Sequence, residues 1–287
     1  MSTEYLLEAV DITKVFPGTK ALDHVKLKVK RGEVHALCGE NGAGKSTLMN
    51  IIGGVIPATE GKILFEGKEV KISNPRVAQE LGIGFVHQEL CLCDHLTVAE
   101  NIYIGRLPKK GDKIDFQQLY QDADAMLQKF NASFDSKVIV GNLNVSEKQI
   151  VEIAKAVSLN CKFLILDEPT STLSNKETTK LFEIVKDLKN RGISILYISH
   201  RLAEVFEICD TITIFRDGTY VTEMNVSDIT TDDIISAMVG RKIENMYPPR
   251  SSRIGEVMLS AEHLTRKDVF EDISFTLKRG EILGFAG

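Results

Sequence analysis

Residues Gly39 to Ser46 read GENGAGKS. They stand between EVHALC (Glu33–Cys38), an apolar run of strand length, and TLMNIIGGV, an apolar run suited to a helix. The spacing G-x-x-x-x-G-K-[ST] in that setting leaves few folds open. Gly39, Gly42 and Gly44 let the backbone wrap tightly enough for its N–H groups to face a chain of phosphates. Glu40, Asn41, Ala43 and Thr47 complete the loop, and the helix that follows presents its N-terminus to the same anion. Lys45 is spaced to reach β- and γ-phosphates, and Ser46 to set a hydroxyl on Mg2+.

The rest of the chain agrees with an α/β fold. HVKLKVK alternates Val25, Leu27 and Val29 inward, at period two. Further strands are expected at KILF, IGFVH, KFLILD, ISILYIS and TITIFR, with helices after Pro75, Thr97, Asp115, Ser146, Asn175 and His200. Strands alternating with helices predict a mainly parallel sheet. The block from about 89 to 160 lacks strand patterns and reads as a helical insertion, with capping boxes at DFQQ (from Asp115) and SEKQ (from Ser146).

A helix stop at Gly240 precedes a Pro-, Ser- and Arg-rich linker at 241–256. After it, VMLSAEHLTRKDVFEDISFTLKRGEILGFAG parallels LLEAVDITKVFPGTKALDHVKLKVKRGEVHALCG, with about four residues fewer between its first two strands. A repeat near 250 residues means tandem domains. The expectation is one complete domain over 1–240 and the first part of a sibling over 257–287, a piece of a chain nearly twice as long.

Two acids end the apolar run KFLILDEP. Asp167 is placed to hold Mg2+ and Glu168 to polarise an attacking water. Gln88 ends GFVHQ, where an amide meets metal and water, and His200 ends LYISH, where an imidazole contacts a γ-phosphate. Phe16 in KVFPGTKAL offers an aromatic face to a base. Taken singly, each of these three fits a loop or core role as well; the phosphate loop gives them weight.

The order Phe16, Gly39–Thr47, Gln88, Asp167–Glu168 and His200 resembles the nucleotide-binding subunit of ATP-binding cassette (ABC) transporters. FPGTKALD, VEIAKAV and MVGR followed by a Tyr-Pro linker are similar to the fused tandem ATPases of monosaccharide importers, such as ribose, galactose and xylose systems. The resemblance implies a P-loop NTPase cassette with a mainly parallel core sheet, an N-terminal antiparallel β-subdomain and a helical subdomain. It also implies ATP with Mg2+, sandwiched between one cassette's phosphate loop and the signature sequence of the other. The implied partners are the second cassette, sugar-permease membrane subunits and, indirectly, an external sugar-binding protein. The implied location is peripheral, on the cytoplasmic side of the membrane. A ribosome-associated tandem ATPase is the rival; intact signatures and a long charged helical linker would mark it.

The family signature is Leu-Ser-Gly-Gly-Gln, and Leu143, Asn144, Val145, Ser146 and Glu147 stand in its place. Ser146 with Gln149 is expected to cap the helix, and Ile150, Ile153, Ala154 and Val157 to form its apolar stripe. Glu147 brings a carboxylate to the first turn; about 6 Å from a phosphate charge it would repel by roughly 3 kcal/mol at an effective dielectric near 20. This signature is expected to sense ATP poorly. PTSTLS (Pro169–Ser174) departs too, with Ser174 where the family carries aspartate.

A net charge of −5 gives no general basis for nucleic-acid binding, and no apolar run reaches membrane-span length. The five cysteines (38, 91, 93, 161 and 209) lack paired metal spacing and are expected to be reduced and mostly buried.

Overall fold

The computed structural model describes residues 4–158, 160–240 and 254–285, in two units that fall within Met1–Lys242 and Ile243–Gly287. Most of the expected linker, 241–253, lies outside the described residues.

The first unit opens with β1 (Tyr5–Phe16) and β2 (Thr19–Lys30), an antiparallel hairpin, followed by β3 (Val34–Cys38), α1 (Lys45–Ile52), β4 (Glu60–Phe65), β5 (Lys68–Val70), α2 (Pro75–Leu81) and β6 (Ile83–Val86). The inserted block holds α3 (Val98–Ile102), β7 (Lys109–Lys110), β8 (Lys113–Ile114), α4 (Phe116–Gln128) and α5 (Val145–Val157). Then come β9 (Phe163–Asp167), α6 (Asn175–Asn190), β10 (Ser194–Ile198), α7 (Leu202–Ile208), β11 (Thr211–Arg216), β12 (Thr219–Asn225) and α8 (Thr231–Val239).

One sheet runs β12-β11-β3-β10-β9-β6, its last five strands parallel and β12 antiparallel at the edge. The other is antiparallel, β2-β1-β4-β5. Alternation along each central strand explains why the parallel sheet is covered on both faces. Leu164, Leu166, Ile195 and Tyr197 enter one apolar core; Phe163, Ile165, Leu196 and Ile198 enter the other. Each is at most 1% exposed, and full burial of such a side chain contributes roughly 1.5–3 kcal/mol. Val25, Leu27 and Val29 point inward as their alternation predicts.

Three local expectations are corrected. The insertion is not free of strands, since β7 and β8 form a four-residue hairpin; runs of two residues are too short to leave a periodicity. And α5 is capped one turn's fraction earlier than SEKQ suggests. Asn144, not Ser146, is the N-cap: its Oδ1 accepts the Glu147 N–H at 3.0 Å, while Glu147 Oε2 accepts the Asn144 N–H at 3.0 Å. An Asn cap two residues nearer the loop competes well with Ser and finds its acid at N3. The buried face of α5 follows, carrying Gln149, Val151, Glu152, Ile153 and Ala154, with Ile150 and Val157 only partly buried. Asp115 does cap α4, accepting from the Gln118 N–H at 3.1 Å. All five cysteines are free, with Cys38 and Cys209 buried, Cys161 half-buried and Cys91 and Cys93 exposed, so thiol burial is less general than expected.

The second unit is a hairpin of β13 (Val257–Arg266) and β14 (Phe270–Lys278). It repeats details of β1 and β2. The Asp272 N–H donates to Thr265 Oγ1 at 3.0 Å, as the His24 N–H does to Thr13 Oγ1 at 3.2 Å. Glu281 accepts the Lys278 N–H at 2.8 Å, as Glu33 accepts that of Lys30 at 2.5 Å. Both copies end in a left-handed glycine, Gly32 and Gly280.

Candidate nucleotide site

Parallel strands deliver their carboxyl ends to one edge, where ligands of open α/β sheets bind. Register places Ile198 beside Asp167 and Leu37, and Val86 beside Leu166. The residues that follow these strands therefore meet: the 39–47 loop after β3, Gln88 after β6, Glu168 after β9 and His200 after β10.

The meeting point is a cleft of about 240 Å³ lined by Asn41 to Thr47 together with Ala21, Gln88, Asp167, Glu168 and Ile198. Gly44 caps α1 with φ +94°, and a Cβ there would lie 2.8 Å from the Ala21 carbonyl oxygen. At Gly39 a Cβ would come 2.4 Å from the Phe215 carbonyl oxygen. These glycines let the loop lie against β2 and β11. Gly39 and Glu40 are not cleft-lining, but their carbonyls accept the Lys45 ammonium at 2.8 and 3.0 Å. Burial lowers the Lys45 pKa, opposed by Cys38, Glu168 and Asp167.

Glu168 takes a left-handed backbone (φ +45°), unusual for a residue with a side chain, and its N–H donates to the Ile198 carbonyl at 2.9 Å. Its carboxylate is held from two sides. Gln88 Nε2 donates to Oε2 at 3.2 Å, and His200 Nδ1 lies 3.2 Å from Oε1. The structure thus brings Gln88 and His200 to Glu168, with His200 outside the cleft lining. Phe16 also stands outside it, 39% exposed at the end of β1, with the Lys14 ammonium 5.1 Å from its ring centre.

Asp167 sits at the floor. Burial, then the Glu168 charge, push its pKa up to about 6 against the pull of Lys45. A raised carboxyl pKa has a definite sign. Relative to an ordinary Asp near 3.8, ionising it in the folded chain costs stability progressively from pH 4 to 6, and fully above that. Asp167→Asn should therefore raise the melting temperature at pH 7.5 and leave it nearly unchanged at pH 4. A divalent cation held by Asp167 would need the carboxylate, and Mg·ATP affinity of the unaltered chain should then fall as pH drops through about 6. A melting series and a nucleotide titration across pH check both arms.

Leu143–Glu147 lies away from this cleft, at the head of α5. Glu147 is folded back into the cap, so its carboxylate and the Asn144 side-chain amide satisfy two N–H groups at the head of α5. Ser174, which precedes α6, donates its N–H and hydroxyl to Glu177 at 2.9 and 2.7 Å. Ser174, and after it Ser146, hold the Glu177 carboxyl below its usual range.

The resemblance implies a groove lined by the helical subdomain without naming its residues; a second hollow, about 1070 Å³, has a lining that includes Phe85, His87, Cys91, Ile104, Glu152 and Lys155. Burial lowers the His87 pKa, with Glu152 opposing. Glu152, an acid in a partly apolar helical stripe and only 5% exposed, was the available signal. Among the described residues no helix is long and apolar enough to cross a membrane.

Comparison with known proteins agrees with this geometry. Residues 22–171 match the family described as "ABC transporter". The chain is 50% identical over its whole length to the ribose import ATP-binding protein RbsA 2 of Rhizobium meliloti (strain 1021), covering 56% of that protein. It is 45% identical to the xylose import ATP-binding protein XylG of Geobacillus kaustophilus (strain HTA426), over 99% of this chain and 58% of that one. The chain spans about half the length of these relatives. Among solved structures, the ADP conformation of MJ1267, an ATP-binding cassette of an ABC transporter, superposes with a TM-score of 0.73 at 29% identity, over 83% of this chain and 100% of that one. The dimeric MJ0796 cassette gives 0.66 at 25% identity, over 77% and 98%. A glycine-rich loop between β3 and α1, the acids Asp167 and Glu168 at and just after the end of β9, and a family match over both make this chain a member of the ABC transporter family.

Proposed function

We propose that the chain carries the competent ATP-hydrolysing site of the energising subunit of a monosaccharide importer. The observation that carries the reading is the convergence of Lys45, Asp167 and a doubly held Glu168 on one cleft. The phosphate loop binds the triphosphate, Lys45 exchanging its two carbonyl partners for phosphate oxygens. Glu168 takes the proton of the attacking water, while Gln88 and His200 fix its carboxylate. Phe16, exposed at the hairpin end, is free to stack on adenine.

The donors fit Mg2+. Ser46, Gln88 and Asp167 offer hard oxygens at the cleft, and Mg2+ is commonly held by one or two protein groups plus phosphates and water. Ser46, Gln88 and Asp167 would hold it, and it would supply charge neutralisation to the phosphates.

Relatives named for ribose and xylose import support the sugar. Their doubled length supports a second cassette in one polypeptide, with domains over 1–240 and from 257 onward around a linker at 241–256. The dimeric cassette relative supports pairing, in which the second cassette's signature completes this phosphate loop. A permease would sit at the hollow beside the helical insertion, on the cytoplasmic side of the membrane. Purification of the full-length protein from membranes tests the assignment. A polytopic permease is expected with it; ribosomes or nucleic acid in its place would overturn it.

In this reading Leu143–Glu147 faces the sibling's phosphate loop and serves it badly, because its cap is closed by its own side chains. Converting Asn144, Val145, Ser146 and Glu147 to Ser, Gly, Gly and Gln should let two copies of this chain complete each other. ATP turnover should then rise with the square of protein concentration, while the unaltered chain stays at background. Equal, background turnover in both would show that the signature is not what limits the site.

A further inference from the structure

We propose that Glu204 is a positioning residue that ties the loop carrying Glu168 to the loop carrying His200; the proposal rests on the ATPase reading above. Glu204 lies in the first turn of α7 and is 5% exposed. Its Oε1 accepts from Thr170 Oγ1 at 2.7 Å. Its Oε2 accepts from Tyr197 Oη and Ser199 Oγ, each at 2.8 Å. Thr170 is two residues past Glu168, Ser199 immediately precedes His200, and Tyr197 belongs to β10 between the two loops.

A buried carboxylate is costly unless hydrogen-bonded and charge-compensated. Here three hydroxyls satisfy it, and the Arg201 guanidinium lies 3.6 Å from Oε1. Each hydroxyl has a single hydrogen, so the carboxylate fixes the direction of all three. Ser199 Oγ is then left to accept the Arg201 N–H, at 3.0 Å. Burial and then Glu204 raise the Tyr197 phenol well above its ordinary pKa, so it remains a donor.

One side chain therefore helps to set the separation of two backbone segments, beside the β9–β10 pairing and the Glu168 N–H bond to the Ile198 carbonyl. That separation decides whether His200 Nδ1 stays 3.2 Å from Glu168 Oε1. Neither Thr170, Ser199 nor Glu204 lines the cleft, so their effect on chemistry passes through Glu168 and His200.

Glu204→Gln keeps the shape but replaces one acceptor oxygen by a donor, so the Thr170 side or the Tyr197–Ser199 side must let go. In the full-length protein assayed with Mg·ATP, kcat should fall by on the order of 10- to 100-fold, the scale of a misplacement near 1 Å. KM for ATP should stay within about twofold. Thr170→Val should cost kcat in the same way, and the double variant no more than the larger single one, because both cut one tie. Where Glu204→Gln does not fold, Ser199→Ala, which leaves the carboxylate two donors, carries the same expectation. A kcat close to the unaltered protein's, a loss confined to KM, or losses that multiply in the double variant would overturn the positioning role alone. An unaltered protein without Mg-dependent hydrolysis would overturn the ATPase reading, and this proposal with it.

Discussion

In the full-length protein, Glu168→Gln leaves Mg·ATP bound and lowers its turnover by on the order of 10³-fold, within the range that a general base supplies. The substitution keeps the volume and one oxygen, removes the capacity to take a proton, and turns into a donor one of the two oxygens that Gln88 and His200 now hold. Lys45 and Asp167, which line the same cleft, are untouched. The geometry around Glu168 is what makes the loss large. A left-handed backbone and a hydrogen bond to Ile198 fix where the side chain begins, and Gln88 and His200 fix where it ends. Strain of this kind costs about 1–3 kcal/mol and persists where the surroundings over-determine it. Single-turnover hydrolysis alongside nucleotide binding separates the two effects. Turnover within a few-fold of normal would assign the base elsewhere.

Gly39→Ala is expected to be as damaging by a different route. The new methyl would meet the Phe215 carbonyl oxygen at 2.4 Å and Ala43 Cβ at 3.0 Å. Phe215 lies on β11 and is fully buried, so the obstacle is a strand backbone that has nowhere to move. Overpacking of this sort costs about 1–3 kcal/mol. The loop would also have to lift, carrying away the carbonyls that now hold Lys45. Melting and Mg·ATP titration should show a lower midpoint together with lost affinity. An unchanged titration would mean that the loop tolerates displacement and that its fit against β11 does not matter for binding.

Much of this was legible in the sequence because the relevant signals are local. Period-two alternation marked Val25, Leu27 and Val29, and apolar runs ending in Cys38, Asp167 and Ile198 marked the strands whose ends form the site. The phosphate loop declares itself because closely packed backbone requires glycine. What stayed hidden depends on distance in the fold. Asn144 and Ser146 are both good caps, and only the path of the chain from Leu143 decides between them. Cys91 and Cys93 look like buried thiols by composition, yet they fall on an exposed connection between β6 and α3. Glu204 was the hardest to see, since an acid beside Val205 carries no sign of the three hydroxyls, 5 to 34 residues away, that converge on it.

The site proposed for this chain is half of a composite: it binds Mg·ATP but waits for another cassette's signature to turn it over. Titration of Mg·ATP onto the 287-residue chain, with hydrolysis followed in parallel over a wide range of protein concentration, tests that claim most directly. The expected result is saturable binding, abolished by Lys45→Ala, with hydrolysis at background throughout. Hydrolysis proportional to protein concentration would contradict it, because the chain would then hold a complete site by itself.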